Sequence, residues 1–116
     1  MLRAKLTIIL TLTALAIAAC GPSEPTRFSI AASTTYESSL FRQNCSICHG
    51  PEGEGRTLYD GTVVPSLRAG EFKKKSEVEI YGQISEGGNG MTPFRTQLTE
   101  REMRLLTDLV HNKLRQ

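Results

Sequence analysis

Cys45-Ser46-Ile47-Cys48-His49 is the stretch on which the reading of this 116-residue chain turns. Two thiols three residues apart, with an imidazole next to the second, suit four chemistries: a disulfide, a redox-active thiol pair, half of a zinc site, or covalent attachment of haem. A thioredoxin-like pair expects a βαβ setting, and no such pattern surrounds it. Zinc needs four ligands, and the only other histidine, His111, stands without a second cysteine pair. The remaining cysteine, Cys20, lies far upstream.

With His49 directly after the pair, the run is C-x-x-C-H, the haem-attachment signature, and that histidine turns the reading from a disulfide to haem. Its logic is geometric. Cys45 and Cys48 at a helix end form thioethers with the two haem vinyl groups, and His49 turns Nε2 onto the iron as proximal axial ligand. The group stays attached through redox cycles without needing a large pocket.

The flanking sequence reads as short helices. Thr34 is expected to open the first, with Glu37 completing a capping box, and Leu40, Phe41 and Asn44 lead into Cys45. Gly50, Gly53 and Gly55 end it. From Pro51 to Gly70 there is no sustained period, and Asp60-Gly61 and Val64-Pro65 mark turns. A loop of that length is uncommon in a small domain unless it wraps something. Ser76 with Glu79 opens a second helix bearing Val78, Ile80, Tyr81 and Ile84, which Gly87-Gly88 close. Thr99 with Glu102 opens the last, stapled by Leu98 and Met103, and Leu106, Leu109, Val110 and Leu114 form its buried stripe. The expected fold is therefore all-α, three or more short helices around one covalent haem, with no convincing strand.

A sixth ligand would come from Met91, Met103 or His111. Met103 and His111 sit on the amphipathic last helix, where a core methionine and a solvated histidine need no special role. Met91 lies in the Gly90-Met91-Thr92-Pro93-Phe94 loop and is assigned. A thioether favours Fe(II) and raises the potential relative to two histidines, and it leaves no open position for a substrate.

The N-terminal region reads as export machinery. Arg3 and Lys5 precede the apolar run Leu6–Ile17, too short for a comfortable membrane span, and Ala18-Ala19 precede Cys20. Ile17-Ala18-Ala19-Cys20 resembles the lipobox of bacterial lipoproteins. The expected division is 1–19 signal peptide, 20–33 lipid-anchored tether and 34–116 folded domain. Loss of 1–19 removes two basic and no acidic residues and leaves the charges balanced. No basic stripe with interleaved aromatics supports nucleic-acid binding. Tryptophan is absent, and so small a domain gains from a cofactor filling its centre.

Between Thr34 and Leu114 the chain resembles the class I single-haem c-type cytochromes. The features are Phe41 four residues before the first cysteine, Cys45-x-x-Cys48-His49-Gly50, Val64-Pro65-Ser66-Leu67, Gly90-Met91-x-Pro93-Phe94, and Leu98-Thr99 opening a terminal helix. The resemblance implies that the Pro65 carbonyl accepts a hydrogen bond from His49 Nδ1, and that Leu67 and Ile84 pack on the haem. Where the family has a glycine and an aromatic at the crossing of the terminal helices, this chain has Glu37 and Leu109, with Ser38 available as the small residue. Thr92 replaces the proline that usually follows the methionine.

The function implied is electron transfer by a tethered, non-enzymatic carrier that turns over no small-molecule substrate. It would serve redox protein partners in the cell envelope, at the periplasm or cell surface. Two alternatives are a dedicated cytochrome subunit of a dehydrogenase or oxidase, and a haem enzyme or gas sensor with a displaceable Met91. Arg56, Tyr59 and Arg68 are candidates to bond the haem propionates. Lys73-Lys74-Lys75 could steer an acidic partner or be a solvated run.

Overall fold

Four helices and one small β-ladder make up the described part of the chain, residues 26–115 of a computed structural model. The signal segment and Cys20 lie outside the described residues. Among those described, no helix is long and apolar enough to cross a membrane.

Helix α1 spans Tyr36–Asn44 and is capped by Thr35, one residue later than the sequence suggests. The box expected from Thr34 and Glu37 does not form. Thr35 donates its hydroxyl to Ser38 Oγ at 3.1 Å, while Glu37 accepts from Lys113 Nζ at 2.7 Å. A full positive charge holds a carboxylate better than a backbone N–H does. The pair depresses the Glu37 carboxyl below its ordinary value, the Lys113 hydrogen bond being the main cause.

A break at Cys45 leads into the single turn α2, Ser46–His49, and Gly50 at φ +82° ends it. The next loop contains a two-residue ladder where no strand is expected from the sequence. Strands β1 (Arg56–Thr57) and β2 (Val63–Val64) pair antiparallel, Arg56 opposite Val64. Asp60 Oδ1 accepts from Thr62 N at 2.9 Å and tightens the tip. Helices α3 (Glu77–Glu86) and α4 (Glu100–Asp108) begin as expected, with complete capping boxes at Ser76/Glu79 and Thr99/Glu102.

Helix α4 continues as wider, π-type turns over Leu109–Leu114. In an α-helix residues five apart point about 140° from each other. The wider winding puts Leu109 and Leu114 both at 0 % exposure, so the stripe read from the sequence is buried by a change of helix type. Phe41, Leu106, Ile80, Ile84 and Met103 are buried in the same core.

Ser38 on α1 and Leu109 at the end of α4 are both fully buried. Polar ties replace the missing aromatic: Glu37 to Lys113, and the Tyr36 hydroxyl donating to Glu102. Lys113→Met should keep the packed stem and lose the charge, costing about 1–2 kcal/mol because Glu37 is largely covered. Denaturant titration of the variant reads that loss, and an unchanged midpoint would show the pair to be idle.

The tether boundary at Ser33 moves. Ile30 is at 0 % exposure in the main core, and Phe28 packs against it. Glu52 receives Ile30 N at 2.9 Å, Ala31 N at 2.8 Å and Ser29 Oγ at 2.9 Å. Arg42 Nη1 donates to the Ile30 carbonyl at 2.6 Å. Residues 28–33 therefore belong to the folded domain. The polar, proline-spaced sequence hides one apolar residue that the core needs.

Candidate functional site

His49 closes α2, and the chain then folds back on it. Gly53 N donates to the Gly50 carbonyl at 3.1 Å and Gly55 N to the His49 carbonyl at 2.8 Å. Gly55, at φ +82°, is bare because the Val64–Ser66 backbone lies against it; a Cβ there would come within 2.5 Å of the Val64 oxygen. Pro65 is thus tied to His49 through backbone contacts. The hydrogen bond from His49 Nδ1 to the Pro65 carbonyl is not made: Nδ1 is buried and has no hydrogen-bond partner. The segment is anchored by the β-ladder and by Gly55, and these hold it to the histidine's main chain rather than its ring.

Burial holds the His49 imidazole below its ordinary pKa, in the neutral form a metal requires. Cys48 is exposed and Cys45 half-buried, both as free thiols. The Cys45 thiol is pushed up to about 12, first by burial and then by Cys48. Reactive redox cysteines have depressed values, so the thiol-pair reading loses support. No group of three or more metal-binding side chains forms among the described residues, which weighs against zinc. A half-buried, neutral imidazole beside two free thiols, one exposed and one half-buried, fits covalent haem with a histidine ligand.

Met91 is half-buried and rests on the core that also supports Cys45 and Leu67. The loop that carries it is a tight turn. Gly88 N donates to the Met91 carbonyl at 2.9 Å and Met91 N to the Gly88 carbonyl at 3.0 Å. Between them Asn89 and Gly90 adopt φ +54° and +86°, the Asn-Gly pairing of a type I′ turn. That dipeptide is a legible turn signal, absent from the sequence-based expectations above. The rivals for the sixth position have other work: Met103 is in the core, and His111 Nδ1 lies 2.8 Å from Asn112 Oδ1 and 3.5 Å from Glu77 Oε1.

Other expectations divide. Arg68 is no propionate ligand, since it is buried and engaged with Glu52 at 2.7 Å and the Phe28 carbonyl at 3.0 Å. Its covered cation meets the partly exposed Glu52 carboxylate and the Phe28 carbonyl, which is why it turns inward. Arg56 reaches the Ile47 carbonyl at 3.3 Å beside the motif, and Tyr59 is fully exposed. Ile84 is in the core, where its carbonyl accepts from Phe94 N at 3.0 Å. Arg95 pairs with Glu86 at 2.6 Å. The surface hollows lined by Glu100, Arg101 and Leu105, and by Glu77, Val78 and Tyr81, include neither His49 nor Met91. Glu52, Gln83 and Gly87 are residues that sequence reasoning does not single out. Glu52 and Gln83 bear no local signal, and the Gly87-Gly88 pair reads only as a helix stop.

Residues 35–110 match the family described as cytochrome c oxidase, cbb3-type, subunit III. Among solved structures the chain is similar to the KustC0563 c-type cytochrome, at 31% identity and a TM-score of 0.58, over 67% of this chain and 95% of that one. No curated protein matches it.

Proposed function

Because this chain belongs to the c-type cytochrome family described as cytochrome c oxidase, cbb3-type, subunit III, we propose that it carries single electrons on one haem c ligated by His49 and Met91, tethered to a membrane through Cys20. Haem-based electron transfer is the family's chemistry, and Cys45, Cys48 and His49 supply the attachment motif within the matched residues. When bound, the haem supplies the Fe(III)/Fe(II) couple.

The observation that carries the reading is the motif in its setting: Cys45, Cys48 and the half-buried His49 stand together at one short helical turn, within the residues that match the family. The polypeptide's tasks follow from that arrangement. Cys45 and Cys48 would hold the group covalently, and α2 with its Gly50–Gly55 return fixes the His49 main chain beside them. The Asn89-Gly90 turn presents the Met91 thioether from the other loop. Held by His49 and Met91 together, the haem would supply one-electron chemistry and leave no position for a substrate. Partners are redox proteins, met in the small, short-lived contacts typical of electron transfer.

Folding of residues 28–33 shortens the reach from the anchor. Gly21–Arg27, fully extended, span at most about 25 Å, so partners lie near the membrane surface, on the periplasmic or external face. Cys20→Ser should release the protein from membranes into the soluble fraction. The match to a family described by an oxidase subunit also favours a second reading, a cytochrome that works as a fixed subunit. Stable co-purification with one enzyme complex at stoichiometric ratio supports the subunit; recovery as a free monomer supports the carrier.

The ligation is tested by visible spectra of the oxidised and reduced holoprotein. Native protein should show the weak far-red band of Met–Fe(III) ligation and ignore carbon monoxide. Met91→Ala should keep covalent haem, lose that band, bind carbon monoxide and fall in midpoint potential. Native protein that already binds carbon monoxide would move the gas-sensor or enzyme reading forward.

A further inference from the structure

We propose that Gln83 is a positioning residue for Met91, holding the thioether in place for the iron through its side-chain amide. The assignment rests on the His49/Met91 ligation above. Gln83 lies on α3, four residues before Gly87 closes the helix. Its Nε2 donates to the Gly87 carbonyl at 3.0 Å and to the Gly88 carbonyl at 3.0 Å, and it stands 3.9 Å from Met91 Sδ.

A primary amide has two N–H hydrogens, and here both are directed to those two carbonyls. One side chain therefore fastens the end of α3 to the turn that bears Met91. Gly88 in turn exchanges both of its backbone hydrogen bonds with Met91. The sulfur meets the amide at a distance too long for a committed hydrogen bond, and its lone pair stays free to coordinate. The same amide sets the positive end of a dipole beside the ligand, and this favours the less positive, reduced iron.

These contacts predict more than a stability effect. Gln83→Glu keeps the shape and, ionised, has no hydrogen to donate; Gln83→Leu keeps the bulk and removes the polarity. In full-length holoprotein, both should retain covalent haem and helix content while the far-red Met–Fe(III) band weakens. The population with Met91 off the iron should rise about tenfold, the loss of roughly one net hydrogen bond. Carbon monoxide binding to the reduced protein should rise in step, and the midpoint potential should fall.

Glu86→Gln is the control, because it breaks the exposed Arg95–Glu86 pair one residue from Gly87 without touching Met91. Its band and carbon monoxide resistance should be those of the native protein. Native-like bands in both Gln83 variants would overturn the proposal, as would a Glu86→Gln protein that loses its band equally, since general loosening would then be the cause. Native protein with no far-red band would overturn the ligation reading and the role of Gln83 together. That outcome shows in the unmutated sample and cannot be confused with the others.

Discussion

Holoprotein carrying Gly87→Ala is expected to keep its haem and lose its methionine ligand. Gly87 adopts φ +69° and ψ −146°, a region open almost only to glycine. Any side chain there is strained by about 1–3 kcal/mol before contacts are considered. Contacts then add to it: a Cβ would stand 2.5 Å from the Met91 oxygen, 2.7 Å from Pro93 N and 3.0 Å from the Thr92 carbonyl carbon. All three are backbone atoms that cannot rotate away, so the Met91–Pro93 strand must move outward and take the thioether with it. Loss of about 2–4 kcal/mol in stability should accompany loss of the far-red band. Gly61→Ala separates the two causes. Gly61 has φ +84°, but a Cβ there would meet nothing within 4 Å, so the variant should lose about 1 kcal/mol and leave the spectrum unchanged. A Gly87→Ala protein with native spectrum and stability would show that Met91 is held by something other than this close approach.

Glu52→Ala is expected to cost about 3–5 kcal/mol, a large share of the stability of so small a domain. The Arg68 side chain is only 3 % exposed, and without Glu52 its charge is left buried beside neutral acceptors. Ser29, Ile30 and Ala31 lose their shared partner in the same step. Denaturant titration reads the total, and hydrogen exchange at Ile30 and Ala31 should quicken most. A loss under about 1 kcal/mol would mean that Ile30 alone seats the segment.

Acid should act on the same group. Burial pushes the Glu52 carboxyl up, but the Ala31 and Ile30 N–H groups, Ser29 and Arg68 outweigh it, and the carboxyl lies below its ordinary value of 4.5. A depressed folded-state pKa stabilises above the unfolded value and loses that contribution as pH falls through the folded one. The difference in stability between native protein and Glu52→Gln should therefore be constant above about pH 5 and shrink as the solution is acidified below it.

Much of this is open to a reader of the sequence. Cys45-Ser46-Ile47-Cys48-His49 identifies the cofactor because its chemistry is local: sulfur, sulfur and imidazole must stand at fixed chain separations to meet one ring. The capping boxes at Ser76/Glu79 and Thr99/Glu102 are local for the same reason, each closing within four residues. The recurrence of Leu106, Val110 and Leu114 at four-residue steps is legible as period. Met91 stands out in the sequence as a methionine in a glycine- and proline-flanked loop.

What the tertiary structure decides are contacts between residues far apart in the chain, whose partners no local pattern names. Glu37 leaves its expected cap because Lys113 arrives from the far end of the chain and offers a full charge. Ile30 joins the core, and Arg68 turns inward, because Glu52 can hold both once the loop folds back. Leu109 and Leu114 share a face only because the last helix widens there. Gly87 and Gln83 matter because three-dimensional packing leaves one no room for a side chain and gives the other two carbonyls to bind. Chemistry that acts within a few residues is written in the sequence; the choice among distant partners is made by which charges and cavities the folded chain brings within reach.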